Sequence, residues 1–508
     1  MARRAWLLIG FLSLGLLPAT SHVWGDPPLP ASPQPTLADA KAANDDKAAK
    51  DDAEYYELYK VLADTVSQVE QNYVKKVDRR KLLEAAIRGV LEELDPYSNY
   101  ISPEDITRFK TSVENQFEGI GIQVAMEGDQ LKVLSPLVGS PAYRAGLQAG
   151  DAIVEIEGKS TEKITMDEAV RQLRGVAGTS VKITVVHARG GKRETLSIKR
   201  ESIQLDTVLG DRRKKDDTWD FMLDHDKKIG YVRITGFSRD TADQLESALE
   251  ELKSEGMKGL IVDLRFNPGG LLKSATDISD LFVSEGVIVS TEGRNSPKRT
   301  VKAKKAGTFE GFPMVVLVNR FSASASEIVS ACLQDHHRAI IIGERTWGKG
   351  SVQSVVDLEG GKSALKLTTA GYLRPNGHNI HRFPDAKESD EWGVMPDKGY
   401  EVKLSDSEMS ELSRYRRDRD ILLESHAGAN KADADKPAEE SKKADDKPAA
   451  ETKKASQPDV KEAEPKTPEK KPEGKPAKSD DDNPKKSAFV DRQLQKALDY
   501  LDSQQARS

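Results

Sequence analysis

The 508-residue chain has a single cysteine, Cys332, so no intrachain disulfide can form and a CxxC redox or cysteine-based zinc site is excluded. Aromatic residues are scarce, at 6%. Beyond the N-terminus no apolar run is long enough to cross a bilayer, and the body reads as soluble. An excess of one charge is also missing: 77 Lys+Arg stand against 83 Asp+Glu, a net charge of −6, which argues against nucleic acid as a partner. Charge itself is abundant, at 31% where an ordinary globular chain has about 25%. Counting by segment locates the excess. Residues 427–486 hold 15 Lys, 15 Asp+Glu and eight Pro, with Val460 the one large aliphatic. Such a stretch cannot bury enough apolar surface to offset its ordering entropy, so a disordered polyampholyte linker is expected there. A second linker is expected over 26–52, where five prolines fall. At 508 residues the chain is long enough for roughly two to four domains.

Arg3 and Arg4 precede an apolar run from Trp6 to Leu17, then Pro18 and a polar stretch ending in Val23-Trp24-Gly25. This order resembles a secretory signal peptide over 1–25, and the run is short for a bilayer span. An uncleaved anchor is the alternative, because Trp24-Gly25 is a poor small-x-small cleavage site. Either way the working domains face outward: the protein is expected to be exported, periplasmic or extracellular, with membrane contact only through such an anchor.

Leu58, Val61, Leu62, Val66 and Val69, then Leu83, Ile87, Val90, Leu91 and Leu94, recur at the helical period before Asp95-Pro96, so a helical arm is expected over 53–105. From Phe117 to Arg200 short β runs surround one amphipathic helix, Met166 to Leu173, which suits a β-rich module over 106–201. From Ile229 strands alternate with helices, and an α/β core is expected over 202–426. Val352 to Leu358 and Ala364 to Leu373 read as its antiparallel continuation. Val490, Leu494, Ala497, Leu498 and Leu501 mark a last amphipathic helix within 487–508, expected to dock back on the core.

In Phe117-Glu118-Gly119-Ile120-Gly121-Ile122 two glycines precede and enter a strand, where amide N–H groups can face an anion. Ser140-Pro141-Ala142-Tyr143-Arg144-Ala145-Gly146-Leu147 and Gly150-Asp151-Ala152-Ile153-Val154-Glu155-Ile156 come next. Together these segments resemble a PDZ domain. The resemblance implies that a partner's C-terminal carboxylate sits on the amides around Gly119, Ile120, Gly121 and Ile122, its last residues adding a strand there. Met166 and Val170 of the facing helix would form the other wall. Alone, such a module would make a scaffold protein.

Three further segments carry chemistry. Phe321-Ser322-Ala323-Ser324-Ala325-Ser326-Glu327 follows the apolar strand Val315 to Val318 and opens a helix, whose free N–H groups can receive a developing oxyanion. Gly343-Glu344-Arg345-Thr346-Trp347-Gly348-Lys349-Gly350 also follows a strand. It fits Gly-x4-Gly-Lys of a P-loop, but Gly350 stands where Ser or Thr would hold magnesium, and the acidic strand precedes the loop. A lysine desolvated by an apolar pocket can instead serve a serine as general base, with Trp347 and the glycines excluding water. Asp263-Leu264-Arg265-Phe266-Asn267-Pro268-Gly269-Gly270 ends a buried strand in a turn whose amides suit the other half of an oxyanion hole.

These segments, in this order and with a PDZ module before them, resemble the C-terminal processing peptidases, a family of Ser/Lys tail-specific proteases. The likeness extends over about Leu58 to Pro396, including Gly371-Tyr372 and Gly393-Val394-Met395-Pro396. It implies an α/β core of the crotonase/Clp-protease type with an inserted PDZ domain. By position Ser324 matches the nucleophile, Lys349 the base and Gln353 the residue that orients the lysine; Ala325 with Gly269 and Gly270 matches the oxyanion hole. The implied function is serine endopeptidase action on proteins with accessible C-terminal tails, with no cofactor or metal. A homo-oligomer built through the arm, an adaptor protein, and a gate in which a bound tail shifts the PDZ through Arg174 all stay open, as does a catalytically inactive PDZ scaffold. A Ser/His/Asp set using His336 or His337 lacks a GxSxG elbow; His378, His381 and Asp385 read as a surface loop rather than a zinc site; Cys332 reads as core. The excursion from Asn376 to Trp392 is longer than the family's turn and departs from its pattern.

Overall fold

The structure, a computed structural model, describes residues 37–422 and 489–507. The signal peptide at 1–25 and the polyampholyte linker at 427–486 lie outside the described residues, as does 26–36 of the first linker. Residues up to Ala86 and residues from Ile87 form two compact units.

In the first unit, α1 (Leu37–Asn72) is one continuous helix. This corrects the linker expected over 26–52, of which 37–52 is helical. The five prolines that suggested a linker all precede Thr36, and residues 37–52 are alanine-rich without Pro or Gly; alanine is the strongest helix former. Tyr55, Tyr56, Leu58, Tyr59, Val61 and Leu62 are exposed along α1. Next, α2 (Arg79–Glu92) starts beside Asp78, whose side chain accepts from Arg80 N–H at 2.8 Å.

In the second unit, β1 (Asn99–Ile101) and α3 (Ile106–Val113) bury Ile101 and Ile106 against Ala364. The expected boundary at 105/106 between arm and PDZ therefore falls inside a piece of the core. After it, β2 (Gln116–Gly119) leads into the PDZ body: β3 (Ile122–Glu127), β4 (Gln130–Pro136), α4 (Pro141–Arg144), β5 (Ala152–Ile156), β6 (Lys159–Ser160), α5 (Met166–Leu173), β7 (Ser180–Val186) and β8 (Arg193–Lys199). Its sheet runs β3-β4-β5-β7-β8, with β6 on β5, over a core that includes Leu131, Val133, Leu147, Ile153, Ile156, Val181 and Ile183. β2 pairs antiparallel with β9 (Glu201–Gln204), a stem that ties the module's entry to its exit. Between β2 and β3, Gly121 has φ +79° and a Cβ there would lie 2.3 Å from Ser140 Cβ, so glycine alone fits this turn.

The core then runs β10 (Val208–Leu209), β11 (Arg212–Arg213), β12 (Trp219–Asp220), β13 (Met222–Asp224), β14 (Ile229–Ile234), α6 (Thr241–Ser254), β15 (Gly259–Asp263), α7 (Leu272–Asp280), β16 (Val287–Gly293), β17 (Ser296–Lys302), β18 (Met314–Val318), α8 (Ala325–Asp335), β19 (Ile340–Gly343), β20 (Ser351–Leu358), β21 (Ser363–Leu373), α9 (Asp406–Asp420) and α10 (Arg492–Gln505). One sheet has the order β10-β14-β15-β18-β19, in which β14, β15, β18 and β19 are parallel. Every residue of β15 and β18 is buried, as parallel strands covered on both faces require. The helices α6, α7 and α8 pack on one face, and α10 docks on the other against Ile229, Ile261, Val315, Leu317 and Ile342. A second sheet runs β1-β21-β16-β17, with β20 on β21.

Periodicity missed β16, β17 and α9. β17 is an edge strand whose residues are nearly all exposed, with Pro297, Lys298, Arg299 and Lys302 along it, the composition that blunts an open edge. α9 is dominated by charge and buries only Met409, Leu412 and Arg416.

Candidate active site

In an open parallel sheet the carboxyl ends of the strands are the usual place for a site. Three loops leave that edge: the Asp263–Gly270 turn after β15, Asn319–Ser324 after β18, and Glu344–Gly350 after β19. They meet around a cleft of about 560 Å³ lined by Gly269, Gly270, Ser324, Ala325, Lys349, Gln353, Lys366 and Tyr372, among others.

Ser324 is the N-cap of α8, with φ 56° and ψ −112°. A positive φ is costly for a residue with a Cβ, on the order of 1–3 kcal/mol, and persists where surrounding contacts enforce it. The enforcing group is Glu327, whose carboxylate is fully buried. Its Oε2 accepts from Ser324 N–H at 2.7 Å and from Lys349 N–H at 2.8 Å; its Oε1 accepts from Gly348 N–H and Thr346 Oγ1, both at 2.6 Å. One side chain thus fastens the serine turn to the lysine loop. Burial pushes the Glu327 carboxyl up, against the opposing pull of these donors. Tyr372 makes a second clasp, its hydroxyl donating to Ser324 O at 3.1 Å and facing Lys349 O. Trp347 N–H adds a third, to Ser322 O at 3.0 Å.

Burial, and then the neighbouring Lys366 charge, push the Lys349 ammonium below the ordinary lysine value. Its Nζ stands 5.0 Å from the centre of the Tyr97 ring. Trp347, expected to exclude water here, is instead exposed. The loop is covered by the Asn376 to Trp392 excursion: Arg382 N–H donates to Gly348 O at 2.8 Å, and the guanidiniums of Arg345 and Arg382 lie 3.7 and 4.4 Å from the centre of the Trp392 ring.

Gln353 lines the cleft, and its Nε2 donates to Ser351 Oγ at 2.9 Å and Thr368 Oγ1 at 3.1 Å. In the β15 turn, Gly269 N–H is taken by Asn267 Oδ1 at 2.8 Å. No hydrogen bond within the described residues occupies Gly270 N–H or Ala325 N–H. The glycine at 269 is a matter of space: a Cβ there would come within 2.8 Å of Ser324 Cβ and 2.9 Å of Ala325 N. Asn267 O in turn accepts from Ala323 N–H and Ser326 Oγ, each at 3.0 Å, locking this turn to the serine loop.

The PDZ groove, about 390 Å³, is lined by Gly119, Ile120, Gly121, Ile122, Met166 and Val170, with Arg174 and Leu205 at its margin. β3 is the free edge of its sheet, and Met166, Val170 and Leu173 share one face of α5, whose N-cap Thr165 accepts from Glu168 N–H. Arg174 lies over the Phe117 ring, 5.5 Å from its centre. Leu205 lines this groove while Asn115 and Thr207 line the cleft. Asn115 and Leu205 hydrogen-bond to each other, so the two sites adjoin the same stem.

Of the rival residues, His336 faces Val287 O, His378 faces Glu391, and His381 Nδ1 accepts from Gly350 N–H at 3.3 Å. Cys332 is fully buried in the main core, and burial pushes its thiol up to about 12. Sequence reasoning missed Glu327, although an ionisable residue three positions after a helix-opening Ser was a signal. It also missed Tyr372's hydroxyl and Asn267.

Residues 228–397 match the model of peptidase family S41, 132–187 a PDZ domain, and 30–105 the activating protease CtpB N-terminal domain. The chain is 39% identical over 370 residues to the carboxy-terminal-processing protease of Bartonella bacilliformis, covering 69% of this chain and 80% of that one. It is 39% identical to carboxy-terminal processing protease CtpA of Bacillus subtilis, over 62% of this chain and 65% of that one. A solved photosystem II D1 C-terminal processing protease is similar at 29% identity and a TM-score of 0.38, over 68% of this chain and 86% of that one. With an S41 peptidase fold and a PDZ domain, the chain belongs to the carboxy-terminal-processing proteases of peptidase family S41 and is a serine-type peptidase.

Proposed function

We propose that the protein is an exported endopeptidase in which Ser324 is the nucleophile, Lys349 the general base and Gln353 the residue that orients Lys349, on a core of the crotonase/Clp-protease type. The observation that carries this reading is the Glu327 carboxylate, which holds the backbone amides of Ser324 and Lys349 at the rim of one cleft. Lys349, partly desolvated, takes the Ser324 hydroxyl proton as Oγ attacks the peptide carbonyl carbon. The oxyanion is received by Ala325 N–H and Gly270 N–H. Collapse expels the amine, which takes the proton back from Lys349, and water then cleaves the acyl-enzyme by the same base. The Gln353 amide nitrogen is spent on Ser351 and Thr368, which leaves its oxygen as the atom to accept from the lysine. Export rests on Arg3 to Gly25. A homo-oligomer through α1 is supported by its exposed Tyr55 to Leu62 face.

The base role has a pH signature. Activity requires neutral Lys349, so kcat/KM rises with pH through the lysine's lowered pKa. Lys366→Gln removes a cation that helps lower it; the rising limb of the pH–rate profile therefore moves to higher pH. A shift the other way, or none, contradicts the assignment.

The tail-recognition role rests on the apolar groove beside the free edge of β3. An unfolded protein ending in apolar residues is expected to be cleaved faster than the same protein ending in Asp residues. Val170→Asp should remove this preference, lowering kcat/KM for the apolar-tailed form by about tenfold or more while sparing a short peptide that does not reach the groove. Retention of the preference in Val170→Asp would separate tail choice from this groove.

A further inference from the structure

The last helix reaches the catalytic edge of the sheet from the far end of the chain. Its docking buries Ala497 and Leu501 completely, and near its N-terminus the polar side chains of Asp491 and Gln493 are turned inward as well. Asp491, the N-cap of α10, accepts from Leu494 N–H at 3.1 Å and presents both carboxylate oxygens to the Arg265 fork, each at 2.8 Å. Gln493 is fully buried; its Oε1 accepts from Arg265 at 2.9 Å while its Nε2 donates to Val402 O at 2.7 Å. The other side of the Arg265 guanidinium is held by Asp263, at 3.1 Å from Nε and 2.7 Å from a terminal nitrogen. Asp263 also accepts from Tyr231 and from Arg416. Burial works to raise the Asp263 carboxyl, but the two guanidiniums overcome it and hold it well below the usual carboxylate range.

Without Asp491, two buried guanidiniums would share one carboxylate. A buried charge left without its partner is costly and seeks another arrangement. Arg265 is where such a rearrangement would reach the chemistry. Phe266 next to it has φ +65° and donates its N–H to Asn319 Oδ1 at 3.0 Å; Asn267, Gly269 and Gly270 come after it, the last bridged to Phe237. The turn is thus pinned at its far end by Phe237 and at its near end by the Arg265 side chain.

We propose that α10 is a positioning element of the active site: Asp491 and Gln493 hold Arg265, and Arg265 holds the Asp263–Gly270 turn at the distance from Ser324 and Ala325 that oxyanion binding needs. The link to turnover rests on the oxyanion reading above; the ordering of the turn by α10 does not. If α10 were purely structural, loosening it would lower stability and leave kcat per folded molecule unchanged.

The test uses the full chain carrying Asp491→Asn, with Gln493→Met as a milder second variant and Leu249→Ala, on the buried face of α6, as a comparison that loses stability elsewhere. At a temperature where all are folded, Asp491→Asn is expected to lower kcat about tenfold or more, the scale of a weakened oxyanion donor, with KM for a tail-bearing protein unchanged. Gln493→Met should show a smaller fall of the same kind, and Leu249→Ala should lower Tm but keep kcat. Amide hydrogen exchange over residues 264–271 should speed up in Asp491→Asn and not in Leu249→Ala. Wild-type kcat and wild-type exchange in Asp491→Asn would overturn the proposal, as would equal effects in Leu249→Ala. If the wild type fails to cleave, or cleaves as well with Ser324→Ala, the catalytic reading falls, and the exchange data alone decide the role of α10.

Discussion

Replacing Ser324 by Ala, or Lys349 by either Ala or Arg, is expected to lower turnover of an unfolded, apolar-tailed protein on the order of 10⁴–10⁶, the range seen when a nucleophile or its base is removed. The arginine variant is the most telling. It keeps the positive charge and most of the side-chain length, but a guanidinium does not deprotonate in a protein and cannot take the hydroxyl proton. If Lys349 served only to bind an anionic part of the substrate, Lys349→Arg would retain activity. The loop itself should survive each change, because Glu327 and Tyr372 hold it through the backbone N–H and C=O of Lys349, not through its amine. Single-turnover kinetics beside a circular-dichroism melt check both halves: chemistry abolished, melting nearly unchanged. Substantial turnover in Lys349→Arg would sink the assignment of the base.

Glu327→Ala should combine a large loss of activity with a large loss of stability. The carboxylate has four donors in a place shut off from solvent, and removing it leaves Ser324 N–H, Gly348 N–H, Lys349 N–H and the Thr346 hydroxyl without their acceptor. An unsatisfied buried donor costs about 1–3 kcal/mol, and relaxation makes the sum less than additive; a destabilisation of roughly 3–5 kcal/mol in a urea titration is the expected result. Ser324 would also lose the contact that enforces its positive φ. A displacement of about 1 Å between nucleophile and base costs about 10² in rate, so kcat should fall by at least that much in the molecules that remain folded. Glu327→Gln keeps the shape but puts an NH₂ against one pair of donors, and should fall between the two. Near-wild-type kcat in Glu327→Ala would mean that Tyr372 and the Trp347–Ser322 bond suffice to align the loops.

The periodicity of α5 and the alternation of strands from β14 to β19 were legible because both depend on which face of a local element is buried. The linker expected over 26–52 was misread across 37–52 because its five prolines were weighed above the alanines that follow them. β17 and α9 were illegible for a related reason: neither has a continuous apolar face, and each is held by tertiary contacts.

The sequence by itself determined the parts of this protein: a PDZ module ahead of an α/β core, a serine opening one helix, a lysine in a glycine-rich loop, a glycine turn after a buried strand, and a final amphipathic helix able to dock. Short-range composition and family resemblance carry that much. Only the tertiary structure decided how the parts are fastened. It made Glu327 the acceptor for both the serine turn and the lysine loop, gave Gly269 N–H to Asn267 so that Gly270 and Ala325 are left to face the cleft, and set Asp491 and Gln493 against Arg265 across more than 220 residues of chain. The physical reason is that a buried charge or N–H group must find its partner wherever folding brings one near, and neither periodicity nor spacing records who that partner is.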